Sequence, residues 1–217
     1  MPEVILRNLP FLAAGLWTTI SMAAWTALAG TVLAMLVAFV RHRRIPVLAQ
    51  LCAAYVTVIQ GTPVLVVLLV SYVAVPAWLG YRITGYAACI AGFSVFIGAY
   101  CAEDMRAGLR AVPASLTEAA TALGLSRLQA LRLIVLPLAA RIALPALIGQ
   151  YVRMVKYTSV ASVIGVSELT GSALLVNARV FQPMTILGSV AAAYFVICLS
   201  LSLLGRILQR RFAGSLG

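Results

Sequence analysis

The sequence predicts an all-α membrane protein with five transmembrane helices, and three observations predict it. Of 217 residues, 63% are hydrophobic and only 10% charged, and the mean hydropathy is +1.06; soluble domains run near half apolar and a quarter charged. The apolar residues gather into stretches long enough to cross a bilayer, which takes about 20 residues per helix. The basic residues collect at the ends of those stretches. The chain, 1–217, reads as one transmembrane domain.

The first span lies within 11–40 and stops at Arg41-His42-Arg43-Arg44. It is too long for a cleavable signal peptide and is expected to stay as a span. The second covers roughly 48–74 and the third roughly 86–105. A loop at about 107–143 follows. The fourth span runs near 144–165 and the fifth near 186–206, ending at Arg206, Arg210 and Arg211. An odd number of crossings puts the termini on opposite sides.

Charge sets the orientation. With the N-terminus outside, the inner segments hold Arg41, Arg43, Arg44, Arg106, Arg110, Arg127, Arg132, Arg141, Arg206, Arg210 and Arg211, and the outer ones only Arg7, Arg82 and Arg179. Eleven against three follows the positive-inside rule, so the 107–143 loop and the C-terminus are expected in the cytoplasm.

Several function classes drop out. The net charge of +11 would suit nucleic acid, but span-end arginines make no continuous basic face. Cys52, Cys89, Cys101 and Cys198 stand singly in apolar segments, without disulfide or zinc spacing, so no metal site is expected. A phosphate-binding G-x-x-x-x-G-K-[ST] loop needs a lysine, and Lys156, the single lysine, follows Val155. The single His42 sits in a basic cluster at a membrane edge, as a solvated or headgroup-facing group would. No catalytic constellation is present in the sequence, and the chain is expected not to be an enzyme.

The loop is the most structured polar part. Ser115 precedes Glu118 at capping-box spacing; Leu116, Ala119, Ala120 and Leu123 recur at i, i+3, i+4 and i+7; Gly124 stands where that helix would end. Ser126 and Gln129 repeat the box, opening a helix expected to run to about Pro137, whose ring cannot continue a regular helix interior. Two short helices joined at a glycine make a knob. A helix of about two turns is unstable alone, so its apolar face needs a surface to lie on: a partner protein or the lipid interface.

Glu118-Ala119-Ala120, three residues, Gly124, nine residues, then Ile134-Val135-Leu136-Pro137 resembles the cytoplasmic loop by which membrane subunits of ATP-binding cassette importers grip their ATPase. Gly61-Thr62-Pro63, Ala99-Tyr100-Cys101-Ala102-Glu103 with Arg106, Lys156-Tyr157-Thr158-Ser159, and Val163-Ile164-Gly165-Val166-Ser167-Glu168-Leu169 look like the polar amino-acid uptake permeases of that class, over roughly 12–212. The resemblance implies a type I importer permease of MetI-like fold, in a bacterial inner membrane. It implies ATPase coupling through Glu118, Ala119, Ala120, Gly124, Leu136 and Pro137. Its implied partners are a second permease subunit, homo- or heterodimeric, a cytoplasmic ATPase dimer that holds ATP and Mg, and an extracytoplasmic solute-binding protein.

A candidate solute path takes in Gln60, Thr62, Pro63, Tyr100, Gln150, Arg153, Lys156, Tyr157, Thr158 and Ser159. Gln150, Arg153 and Tyr157 fall at i, i+3 and i+7 with Lys156 beside them, and cations within a span face a partner or an aqueous cavity. Thr62 and Pro63 either break the second helix, freeing carbonyls toward a cavity, or kink it at a helix interface. Three positions depart from the family: Gln60 for its usual arginine, Tyr157 for an acidic or small polar residue, and Leu138 for glutamine. An amino-acid pocket needs a cation for the carboxylate and an acceptor for the ammonium. Either the substrate is unusual or the paired subunit carries most of the pocket.

The rival readings are an ion-coupled secondary carrier and a non-transporting structural subunit. A carrier would need an inverted repeat and a membrane-embedded carboxylate, whereas Glu3, Glu103, Asp104, Glu118 and Glu168 all read as lying at or outside span ends. A scaffold would not need the knob.

Overall fold

In the computed structural model, residues 2–42 and 46–213 are described; Arg43 and Arg44 lie outside them. The described residues contain helices and no strand: α1 Pro2–His42, α2 Pro46–Gln60, α3 Val64–Leu79, α4 Gly85–Arg110, α5 Ala114–Ala122, α6 Arg127–Ile164, α7 Leu169–Val180 and α8 Pro183–Ala213. Among them α1, α4, α6 and α8 are each long and apolar enough to cross a membrane, and α2 with α3 makes a fifth crossing when counted as one bent span.

The second span, expected over roughly 48–74 with a break or a kink at Thr62-Pro63, is two helices. It breaks at Gly61-Thr62-Pro63 and turns by 112°. Pro63 has no N–H for the helix ladder and takes an extended conformation, φ −58° and ψ 139°, as N-cap of α3. The alternatives at this motif resolve to a break.

The fourth span also differs. The helix that carries it starts well before 144, because the second knob helix does not stop at Pro137: α6 runs unbroken from Arg127. A π-turn over Leu131–Val135 precedes the proline, and the Leu136 N–H reaches back to the Leu131 carbonyl. The widened turn displaces the carbonyl that the pyrrolidine ring would otherwise strike. α3 uses the same device, with a π-turn over Val70–Ala74 ahead of Pro76 and the Val75 N–H on the Val70 carbonyl.

α4 is the central post, the most buried of the long helices. It packs on α1, α6, α2 and α3. Small residues let it approach α1 closely: a Cβ on Gly98 would stand 3.3 Å from the Gly30 carbonyl oxygen, and one on Gly30 only 2.3 Å from Ile97 Cγ2. Helix pairs in lipid gain contact this way, having no hydrophobic force to join them. Met22, Leu68, Phe93, Ile97 and Met154 fill the core around this crossing. A second cluster, Leu12, Leu169, Ala173, Val176, Ile186 and Val190, joins α1, α7 and α8. The outer faces of α1 and α8 carry exposed Trp17, Trp25, Phe39, Phe195 and Leu204, as a lipid-facing surface does.

Candidate functional site

Two regions carry the sequence-predicted residues. The first is the knob. α5 begins at Ala114 behind Pro113, which takes the N-cap conformation and offers no side-chain bond, so the expected Ser115–Glu118 capping box is absent and Ser115 lies inside the helix. The Ser126–Gln129 box forms: the Ser126 hydroxyl accepts from the Gln129 N–H at 3.3 Å, and the Gln129 side chain accepts from the Ser126 N–H at 2.8 Å. Gly124 between them has φ +81°, and the Leu125 N–H bonds back to the Ala120 carbonyl at 3.0 Å. This is a left-handed helix stop, which glycine takes without strain.

Only Ala120 of α5 is buried. Glu118 and Ala119 are exposed, Leu123 is 83% exposed, and Leu136 and Pro137 stand outward at the start of the straight part of α6. The knob therefore presents apolar side chains, with Glu118 on α5 and Arg127 and Arg132 on the start of α6 also exposed, that its own chain leaves uncovered. Behind it, a hollow of about 700 Å³ is lined by His42, Leu109, Val112, Thr117, Arg127 and Leu131.

The second region is a polar wall between α4 and α6. The antiparallel pair brings Phe96 beside Tyr157, centroids 5.5 Å apart and edge-on, while one turn along α4 Tyr100 packs against Phe96 at 5.1 Å. The Tyr100 hydroxyl donates to the Gln60 carbonyl at 3.4 Å, reaching the free C-terminus of α2. Thr62 turns its hydroxyl onto the Val58 carbonyl. Further toward the Arg110 end of α4, Gln150 Nε2 donates to Asp104 Oδ2 at 2.8 Å and Arg153 Nε donates to Gln150 Oε1 at 3.3 Å. Arg153 and Lys156 are exposed.

Not every candidate faces outward. Thr158 is fully buried, its hydroxyl on the Val155 carbonyl, because a 3₁₀ segment over Thr158–Ile164 tightens the end of α6 and turns it inward. Gln150 is 5% exposed and serves the wall from behind. Ser159 bonds back to the Lys156 carbonyl.

Sequence reading missed two residues. Asp104 was placed at a span end, yet it meets Gln150 inside the helix pair; its position one turn after Tyr100 was the available signal. Glu168 was placed outside the spans, yet it is fully buried. Its Oε1 accepts from the Gly171 N–H and its Oε2 from the Thr170 N–H, both at 2.8 Å, and Oε2 also accepts from the Tyr194 hydroxyl at 2.8 Å. Tyr194 lies about three turns into α8, so this carboxylate packs against the long apolar helix rather than lying in a free loop. A glutamate ahead of an apolar run was the legible cap signal.

Comparison with known proteins agrees with this architecture. Residues 30–214 match the family described as binding-protein-dependent transport system inner membrane component. The chain is 32% identical to a probable amino-acid ABC transporter permease of Vibrio harveyi over 91% of its length and 90% of that protein. It is 34% identical to the glutamine transport system permease of Escherichia coli K12, over 94% and 93%. A solved amino acid ABC transporter crystallised with histidines superposes with a TM-score of 0.90 at 30% identity, over 95% of this chain and 96% of that one. An inward-facing methionine ABC transporter shares the fold, with a TM-score of 0.81 at 20% identity over 95% and 98%. The exposed knob, the bent second span and the central α4 are thus those of a transport permease, and this chain belongs to the family of inner-membrane components of binding-protein-dependent transport systems.

Proposed function

We propose that this chain is the permease of an ATP-driven importer for amino acids or related polar solutes. The observation that carries the reading is the uncovered knob: Glu118 and Ala119 exposed and Leu123 83% exposed, on a short helix that needs a partner surface. The partner is a separate ATPase dimer, which holds ATP and Mg; this chain performs no hydrolysis. A second permease subunit completes the path, and an extracytoplasmic binding protein delivers the solute. The N-terminus lies outside and the C-terminus in the cytoplasm, in keeping with the arginine bias. The amino-acid assignment is supported by relatives whose names carry it and by the polar wall of Tyr100, Gln150, Arg153 and Tyr157.

The carrier alternative gains one observation, the fully buried Glu168. Its oxygens are engaged in capping α7 and in holding Tyr194, so a structural role accounts for it.

The test is reconstitution. The permease, its ATPase and its binding protein in proteoliposomes should import labelled amino acid only with ATP on the ATPase side. Uptake driven by an ion gradient without ATP, or ATP-driven uptake undiminished after the knob is disrupted by Glu118→Lys with Leu123→Asp, would refute it.

A further inference from the structure

Asp104 on α4 and Arg153 on α6 carry opposite charges on packed helices, yet they do not pair. The ion pairs among the described residues are Arg41–Glu103 and Arg106–Glu103. Gln150, 5% exposed, stands between the two charges, donating to Asp104 Oδ2 at 2.8 Å and accepting from Arg153 Nε at 3.3 Å. The chemistry of the neighbours sets the amide orientation: an ionised carboxylate only accepts and a guanidinium only donates. A buried amide engaged at both ends cannot swing aside without leaving a polar group unpaired. Gln150 therefore acts as a spacer that stops the carboxylate and guanidinium from collapsing onto each other.

Each charge retains unused capacity. Asp104 is half-buried and Arg153 exposed, and neither Asp104 Oδ1 nor the Arg153 Nη groups hydrogen-bond to another described residue. A guanidinium within a span is costly to leave against lipid. Its two Nη groups form a fork suited to a carboxylate, while Asp104 Oδ1 can accept from an ammonium. The aromatic rings of Tyr100, one turn before Asp104, and Tyr157, one turn after Arg153, continue the same wall.

We propose that Asp104 and Arg153, held apart by Gln150, form a clamp for a zwitterionic α-amino acid, with its ammonium on Asp104 and its carboxylate on Arg153. An α-amino acid presents donor and acceptor across a short span, as the Gln150 amide does, so it can bridge the same two charges alongside the glutamine. The clamp supplies from this chain's own helices the cation and acceptor that Gln60 and Tyr157 do not provide. Solutes lacking either charge leave one partner unanswered and bind more weakly. The inference rests on the permease reading.

The test uses the purified complex of this permease with its ATPase, in nanodiscs without binding protein, by equilibrium dialysis against each of the common L-amino acids in labelled form. The best-bound amino acid is then compared with its Nα-acetyl derivative, which lacks the ammonium, and its carboxamide, which lacks the carboxylate. Asp104→Asn keeps an acceptor for Gln150 and removes only the charge; it should weaken the amino acid about tenfold or more while leaving the Nα-acetyl derivative unchanged. Arg153→Gln should weaken the amino acid similarly and leave the carboxamide unchanged. Equal losses for both derivatives, unaltered amino-acid binding in either assembled variant, or no binding to the parent complex overturns the clamp. ATP-driven uptake by the parent transporter separates the outcomes: if it persists when the clamp fails, the permease reading stands.

Discussion

Arg41 Nη1 lies 2.8 Å from Glu103 Oε2, tying the last turn of α1 to α4 across 62 residues of sequence. Arg106 holds the same carboxylate from one turn further along α4, through both Nε and Nη2. One glutamate thus joins two guanidiniums where the first and third crossings end, and both helices must end on the same side of the membrane.

Removing that carboxylate leaves two partly buried cations facing each other. Glu103→Gln should lower the stability of the purified permease by roughly 1–3 kcal/mol, read as a fall in thermal midpoint in detergent. Arg41→Gln should cost less, because Arg106 keeps Glu103 paired. A larger loss for Arg41→Gln than for Glu103→Gln would contradict the shared-carboxylate arrangement.

Among the described residues Glu168 is the one Asp, Glu, Lys, Arg or His that is fully buried. Glu168→Ala strands two helix-capping N–H groups and the Tyr194 hydroxyl, at a cost of roughly 2–5 kcal/mol; folded yield by size exclusion should drop sharply. Tyr194→Phe removes one partner and should cost about 1 kcal/mol. If Glu168→Ala folds as well as Tyr194→Phe, the cap is not what holds α7.

Gly124 tests coupling by backbone alone. A Cβ there meets nothing within 4 Å, so the penalty of Gly124→Val is expected to come chiefly from φ +81°, about 1–2 kcal/mol or more for a β-branched residue. Asparagine tolerates that region. Uptake per assembled complex should therefore fall in Gly124→Val and be largely retained in Gly124→Asn, with membrane insertion equal in both. Glu118→Lys, which reverses an exposed charge on the knob, should reduce ATPase association. Full uptake in all three variants would remove the knob from the coupling path.

Orientation can be read with impermeant thiol reagents. Cysteine at Ser126 should label from the cytoplasm and cysteine at Arg82 from outside. Arg179, exposed on α7, serves as a second outer reporter. Gly214 lies outside the described residues and serves as a C-terminal reporter expected to label from the cytoplasm. Labelling of Ser126 from outside would reverse the topology and detach the knob from the ATPase.

Hydropathy alone determined the membrane class and the approximate positions of the spans, because lipid forces each crossing to satisfy its backbone within the segment and so marks it with a continuous apolar run. The same holds for features whose partners lie within one turn: the Ser126–Gln129 box and the left-handed Gly124 were legible from three- and four-residue spacing. Legibility failed where neighbouring proline changed the local geometry. Pro113 took the N-cap that Ser115 was expected to supply, and π-turns carried helices through Pro76 and Pro137. Only the tertiary structure decided that the second span breaks by 112°, that Asp104 meets Gln150 from 46 residues away, and that Glu168 is buried beside Thr19, 149 residues away. These choices depend on how the helices rotate and cross. In a bilayer both the lipid face and the packed face are apolar, so hydrophobic periodicity does not report which side of a helix will find a neighbour.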